Sequence, residues 1–67
     1  MTFHRTGLLI IRAWLERGSS QPLRAHIRLT TDVGSGFASE TTLTDATTVS
    51  ETVEAWLDDV LLDGEQR

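Results

Sequence analysis

These 67 residues contain no cysteine, no lysine and no tyrosine, and a single proline. Without cysteine the chain has neither a disulfide nor a thiolate metal site, which suits a reducing cytoplasm. Two histidines, His4 and His26, are too few to make a zinc site alone, and they have no Cys, Tyr or Lys to work with. Every basic side chain is arginine, while Ala, Val, Thr and Asp are common. This is the signature of GC-rich coding and weakens any functional meaning of arginine over lysine. Long hydrophobic runs are missing too. No stretch approaches the roughly 18 apolar residues that span a bilayer. Residues 1–7 lack the apolar stretch of a signal peptide, and the run from Leu8 to Leu15 is broken by Arg12. The chain therefore reads as soluble and cytoplasmic, with no membrane contact.

A chain this short makes one small domain. Ordering it costs roughly 1.5 kcal/mol per residue, which a core of about fifteen apolar side chains barely balances. With disulfides and thiolate metals excluded, oligomerisation is the remaining support.

What is present is a strong polarity along the chain. Residues 1–31 carry five arginines against Glu16, a charge of +4; residues 32–67 carry nine acids against Arg67, a charge of −8. The hydrophobic period changes with the charge. Leu8 to Glu16 reads as a strand with Leu9, Ile11, Ala13 and Leu15 on one face and the mixed set Leu8, Ile10, Arg12, Trp14 and Glu16 on the other. Arg17 to Pro22 is a turn cluster. Leu23 to Thr31 alternates more cleanly: Leu23, Ala25, Ile27 and Leu29 oppose Arg24, His26, Arg28 and Thr30. Asp32 to Gly36 is a second turn, and Phe37 to Thr44 a weaker, threonine-rich third strand.

Hairpin geometry makes these assignments agree. Leu15 opposite Leu23, Ala13 opposite Ala25 and Ile11 opposite Ile27 align the first pair of strands. Leu29 opposite Ser39 and Ala25 opposite Leu43 align the second. All odd positions then share one face, and a slip of one residue would drive Arg24, His26 and Arg28 into the core. A helix follows, with Val49, Val53, Trp56, Leu57, Val60 and Leu61 along one side. Thr48-Val49-Ser50-Glu51 fits a capping box with Thr48 as N-cap, and Asp45 or Thr47 fits the same role a turn earlier. Gly64 suits the helix end. The expected architecture is α+β: a three-stranded antiparallel meander followed by one C-terminal helix packed on one sheet face. Residues 1–7 form a loose arm, whose Phe3 is the one side chain able to cover an end of the core.

Three surfaces are candidates for function. The even sheet face gathers Arg12, Trp14, Arg24, His26 and Arg28, with Trp14 beside Arg24. Arginines interleaved with an aromatic resemble single-stranded nucleic-acid platforms. Glu40 opposite Arg28 already answers part of that charge, and a net charge of −4 opposes phosphate binding. On the same face Leu8, Ile10 and Trp14 make the first strand apolar on both sides, and a strand of that kind at a sheet edge expects burial on both. The third surface is the acidic helix stripe Glu51, Glu54 and Asp58, continued by Asp59, Asp63 and Glu65. It is a solvated, solubilising face, or a docking surface for a basic partner.

Catalytic signatures are absent. Ser19, Ser20 and Ser50 have no histidine at a recognisable spacing, and Gly34 and Gly36 precede a strand rather than the helix a phosphate loop needs. No catalytic, cofactor-binding or metal residues are assigned.

The order of elements resembles that of short bacterial βββα proteins. The stretch from Thr47 to Leu57 (TTVSETVEAWL) is similar to the helix entry of HicB-like antitoxin domains, where a Thr-capped helix follows three strands. The family's glycine- and aromatic-rich second strand, its Pro-Gly-Cys turn and its extra DNA-binding segment have no counterpart in these residues. The resemblance implies a small regulatory binding module and carries over no functional residues. The sequence reading is thus a non-enzymatic protein–protein interaction module, homodimeric through the first strand and the outer sheet face (Leu8, Ile10, Arg12, Trp14, Arg24, His26, Arg28). The alternative is weak nucleic-acid binding by the Arg/His/Trp surface.

Overall fold

A computed structural model describes residues 5–65, the last three by backbone alone. Strand β1 (Leu8–Leu15), strand β2 (Leu23–Thr30), a 3-10 turn (Val33–Ser35), strand β3 (Ser39–Leu43) and helix α1 (Ala46–Glu65) follow one another. Among the described residues the strands form one antiparallel sheet in the order β1-β2-β3. The fold is the expected α+β meander with its C-terminal helix, and the register is the expected one. Leu15 faces Leu23 and Ile11 faces Ile27; Ala25 faces Leu43 and Leu29 faces Ser39. The reason is the one read from the alternation: a slip of one residue would bring the charged members of β2 to the helix side.

The hairpin joining β1 to β2 turns at Gly18, whose φ of 83° suits glycine. The Glu16 backbone N–H closes it by donating to the Pro22 carbonyl at 2.7 Å. In the second connection Asp32 accepts from the Gly34 N–H at 3.0 Å and, through its other oxygen, from the Ser35 hydroxyl at 3.3 Å. The Val33 N–H donates to the Thr6 carbonyl at 2.9 Å, tying the entering chain to this turn. Of the expected loose arm, Met1, Thr2, Phe3 and His4 lie outside the described residues. Gly7 passes directly beneath the helix: a Cβ there would sit 3.0 Å from Val60 Cγ2 and 3.2 Å from both Trp56 Cζ2 and the Thr30 carbonyl oxygen.

The helix starts one turn before Thr48. Asp45 is the N-cap, accepting from both the Thr48 backbone N–H and the Thr48 hydroxyl at 2.9 Å, so Thr48 is the third helical residue. The helical backbone then runs through Gly64 to Glu65 rather than ending before it. Those two bonds, the backbone one first, hold the Asp45 pKa below its ordinary 3.8. The folded pKa is the lowered one. The stabilisation is therefore complete above the unfolded value and is lost as pH falls through the folded value. Asp45→Ala should lower the Tm by several degrees at neutral pH and hardly at all below the carboxylate range. Thermal melts at the two pH values check this, and an equal loss at both would remove the carboxylate from the explanation.

Helix α1 packs chiefly on β2 and β3. Its anchor is Trp56, whose indole Nε1–H donates to the Thr30 carbonyl at 2.9 Å. Thr30 belongs to the outer face by alternation, yet it is only 3% exposed. Its hydroxyl donates to the Asp32 carbonyl and accepts from the Asp32 N–H, both at 3.0 Å, as the chain leaves the sheet. The buried apolar core is small. Among the described residues it consists of Ala25 and the fully enclosed Ile27, with Leu9, Leu23, Leu29, Val49, Val53, Trp56 and Val60 half-buried around them.

Candidate protein interface

The outer face holds the seven residues singled out from the sequence, and the register brings them together. Ile10 pairs with Arg28, Arg12 with His26 and Trp14 with Arg24. Leu8, Ile10 and Trp14 are 41%, 43% and 39% exposed. Arg12 separates the two aliphatic side chains from the indole, and its guanidinium lies over that ring at 5.4 Å from the centroid.

Each basic side chain of this face has a neighbour. The Arg24 Nε lies 3.2 Å from the Glu16 carboxylate, and the His26 Nε2 lies 2.9 Å from that of Glu40. Arg24 also donates to the carbonyls of Gln21 and Leu23. Arg28 covers the Phe37 ring at 4.4 Å. Trp14 thus stacks with Arg12 rather than with Arg24, and Glu40 meets His26 rather than Arg28. Arg24–Glu16 and His26–Glu40 are diagonal cross-strand pairs, whose separation of about 7–8 Å suits long side chains, while Arg12 and Trp14 are neighbours two apart on one face of β1. Exposed pairs of this kind add little stability. They do restrict the arginines, since a phosphate would have to displace a carboxylate or an aromatic ring. The acidic side chains Glu51, Glu54, Asp58 and Asp59 are all exposed on the helix.

Sequence reasoning missed a second open surface. Ile11, Ala13 and Leu15 lie on the helix side of β1 and yet are exposed, Ile11 by 42% and Leu15 by 72%. Leu57, Leu61 and Leu62 on the helix are exposed as well, Leu61 by 62%. The cause is a stagger. β3 ends at Leu43, opposite Ala25, and the helix begins three residues later. The Thr44 hydroxyl, 3.2 Å from Gln21 Oε1, pins this corner. The β1–β2 hairpin beyond Ala25 is left bare at one end. At the other end the helix continues past its Trp56–Thr30 anchor. The signal was available in the register: a five-residue β3 cannot carry the helix over the whole of an eight-residue β1.

Among the described residues no helix is long and apolar enough to cross a membrane, and no three His, Cys, Asp or Glu side chains converge as metal ligands. Comparison with protein-family models, curated proteins and solved structures finds no match.

Proposed function

We propose that this chain is a non-enzymatic protein–protein interaction module that self-associates through β1 and the outer sheet face. One observation carries the reading: β1 is an edge strand whose apolar side chains are open on both faces. The accessible surface supports it. The chain exposes 5217 Å², about 1,000 Å² more than a compact monomer of its mass would. A standard interface covers roughly 800 Å² on each partner.

Magnitudes set the expected strength. Full burial of a large apolar side chain gives about 1.5–3 kcal/mol. Leu8, Ile10 and Trp14 are already more than half covered, so six of them across two copies supply about 4–7 kcal/mol. That only meets the lower end of an association cost of about 4–15 kcal/mol. The outer face alone supports weak pairing, and micromolar affinity requires β1's other face as well.

Sedimentation of the wild type and Ile10→Arg across protein concentration tests the reading. The expected result is a dimer for the wild type and weakened association for the variant. A concentration-independent monomer near 7.4 kDa at high micromolar protein would end the proposal. Salt separates it from nucleic-acid binding. Three arginines meeting phosphates would give a log–log salt slope of about −2 to −3, whereas apolar burial is not screened. Self-association should persist at about 500 mM salt, with no measurable binding to mixed-sequence single-stranded DNA or RNA at about 150 mM. Submicromolar nucleic-acid binding, lost in Arg24→Ala and Arg28→Ala, would reverse the ranking.

A further inference from the structure

Alternation of the backbone determines which groups of β1 are open. Glu16 donates to Pro22 across the hairpin, so the even residues of β1 turn their N–H and C=O groups toward β2. Leu9, Ile11, Ala13 and Leu15 must then turn theirs to the outer edge. Three of these, Ile11, Ala13 and Leu15, carry the bare apolar face. Among the described residues nothing covers this edge: the register from Leu8 to Leu15 is unbroken by a bulge, and the strand contains neither proline nor lysine.

The stagger gives the open surface a shape. The chain measures 54 Å along its longest axis, with a radius of gyration of 14.4 Å, against about 11 Å for a compact domain of this length. Past Trp56 the helix runs on from Leu57 to Glu65, about 13 Å of rod at 1.5 Å per residue. It projects beyond the end of the sheet where β1 begins. The bare hairpin projects at the end where β1 finishes.

We propose that a second copy of this chain adds to β1 edge to edge, antiparallel, with Ile11 on the two-fold axis. Each helix end then covers the other copy's bare hairpin. The inference rests on the self-association reading and deepens it by naming the partner and the geometry. Antiparallel pairing sets the start of one β1 beside the end of the other, so helix projection and hairpin fall together. Odd residues stay on the helix face only if odd pairs with odd. With Ile11 opposite itself, Leu9 meets the partner's Ala13 and Ile10 meets the partner's Arg12. The partner's Leu15 arrives at Gly7, directly beside Val60 of the helix. Of the two neighbouring registers of the same parity, one would place Arg12 opposite the partner's Arg12, a like-charge pair at the closest spacing a sheet offers. The other, with Ile10 on the axis, would carry the partner's Leu15 past Gly7 and Val60 to Arg5. The union is a six-stranded sheet with both helices on one face. It joins Ile11, Leu15, Leu57 and Leu61 into a shared core and leaves β3, with Glu40, as the outer edge.

The absence of cysteine makes the test clean, because one introduced cysteine can form a disulfide only between copies. Ile11→Cys under mild oxidation should give a covalent dimer of twice the 7.4 kDa chain on a non-reducing gel. Glu40→Cys on β3 should run as the single chain on the same gel, without a cross-link. Arg12→Cys cross-linking in preference to Ile11→Cys would overturn the register. A dimer in sedimentation that cross-links through Trp14→Cys and not Ile11→Cys would overturn edge pairing while leaving self-association standing, as face-to-face stacking of two sheets. A monomer by sedimentation would remove both. Leu61→Asp keeps the helix test independent of disulfide geometry. It should weaken dimerisation by roughly tenfold or more without lowering helix content, and an unchanged Kd would overturn the covering of hairpin by helix.

Discussion

Trp56→Ala should destabilise the fold by about 3 kcal/mol or more, the range for truncating a large aromatic in a core. Two losses add. The indole is half-buried between the helix and the chain at Gly7, and its Nε1–H satisfies the Thr30 carbonyl. The Thr30 carbonyl keeps its cross-strand partner Leu8, so loss of the indole donor adds the roughly 0.5–1.5 kcal/mol of one hydrogen bond. A domain of this size has on the order of 3–10 kcal/mol in total, and the variant sits near unfolding. Urea titration followed by far-UV circular dichroism measures the shift. Trp56→Phe, which keeps the ring and removes the donor, should lie between the two. If Trp14→Ala unfolds the chain and Trp56→Ala retains the wild-type midpoint, the sheet has been read inside out.

The second large effect is at Ile27, 0% exposed at the centre of β2. Ile27→Ala should lose about 2–5 kcal/mol, and Ile27→Val about 0.5–1.5 kcal/mol. Its cross-strand partner Ile11 has the same side chain on the same face. In the monomer Ile11→Ala should nevertheless cost clearly less, because that side chain is already partly in water. Chemical denaturation at dilute protein, below any association, makes the comparison. Equal losses at the two isoleucines would mean that the helix covers β1 as fully as β2, contrary to the stagger.

The contrast between these two isoleucines shows what alternation can and cannot say. A period of two identifies the face to which a side chain belongs, and on that basis the register of all three strands and the β-β-β-α order were legible. It does not say how far a helix reaches across that face. Ile11 and Ile27 are indistinguishable by pattern, yet one is enclosed and the other open. What separates them is where the helix lies across the sheet: it packs over β2 and β3 and leaves the edge strand β1 uncovered. The cap is a similar case. Asp45-Ala46-Thr47-Thr48 and Thr48-Val49-Ser50-Glu51 both fit a helix entry, and the two-residue connection after Leu43 selects the earlier one. On the outer face, membership of Arg12, Trp14, Arg24, His26 and Arg28 was legible from even numbering. Their pairings were not, because direct opposition ranks neighbours by Cβ spacing while arginine and glutamate choose by reach. Thr30 followed its strand by number and departed from it by burial, since the chain there has already begun to turn.

The strictly sequential strand order also sets a tempo. Each strand pairs with the one before it, so every sheet contact closes a short loop, and topologies of this kind fold quickly. Docking of Trp56 on Thr30 closes 26 residues and the passage of Val60 over Gly7 closes about 50, and both need the finished sheet as their platform. The hairpin and its open edge therefore exist before the helix lies down. During biosynthesis that edge emerges first, and the helix that carries most of the acidic residues follows it.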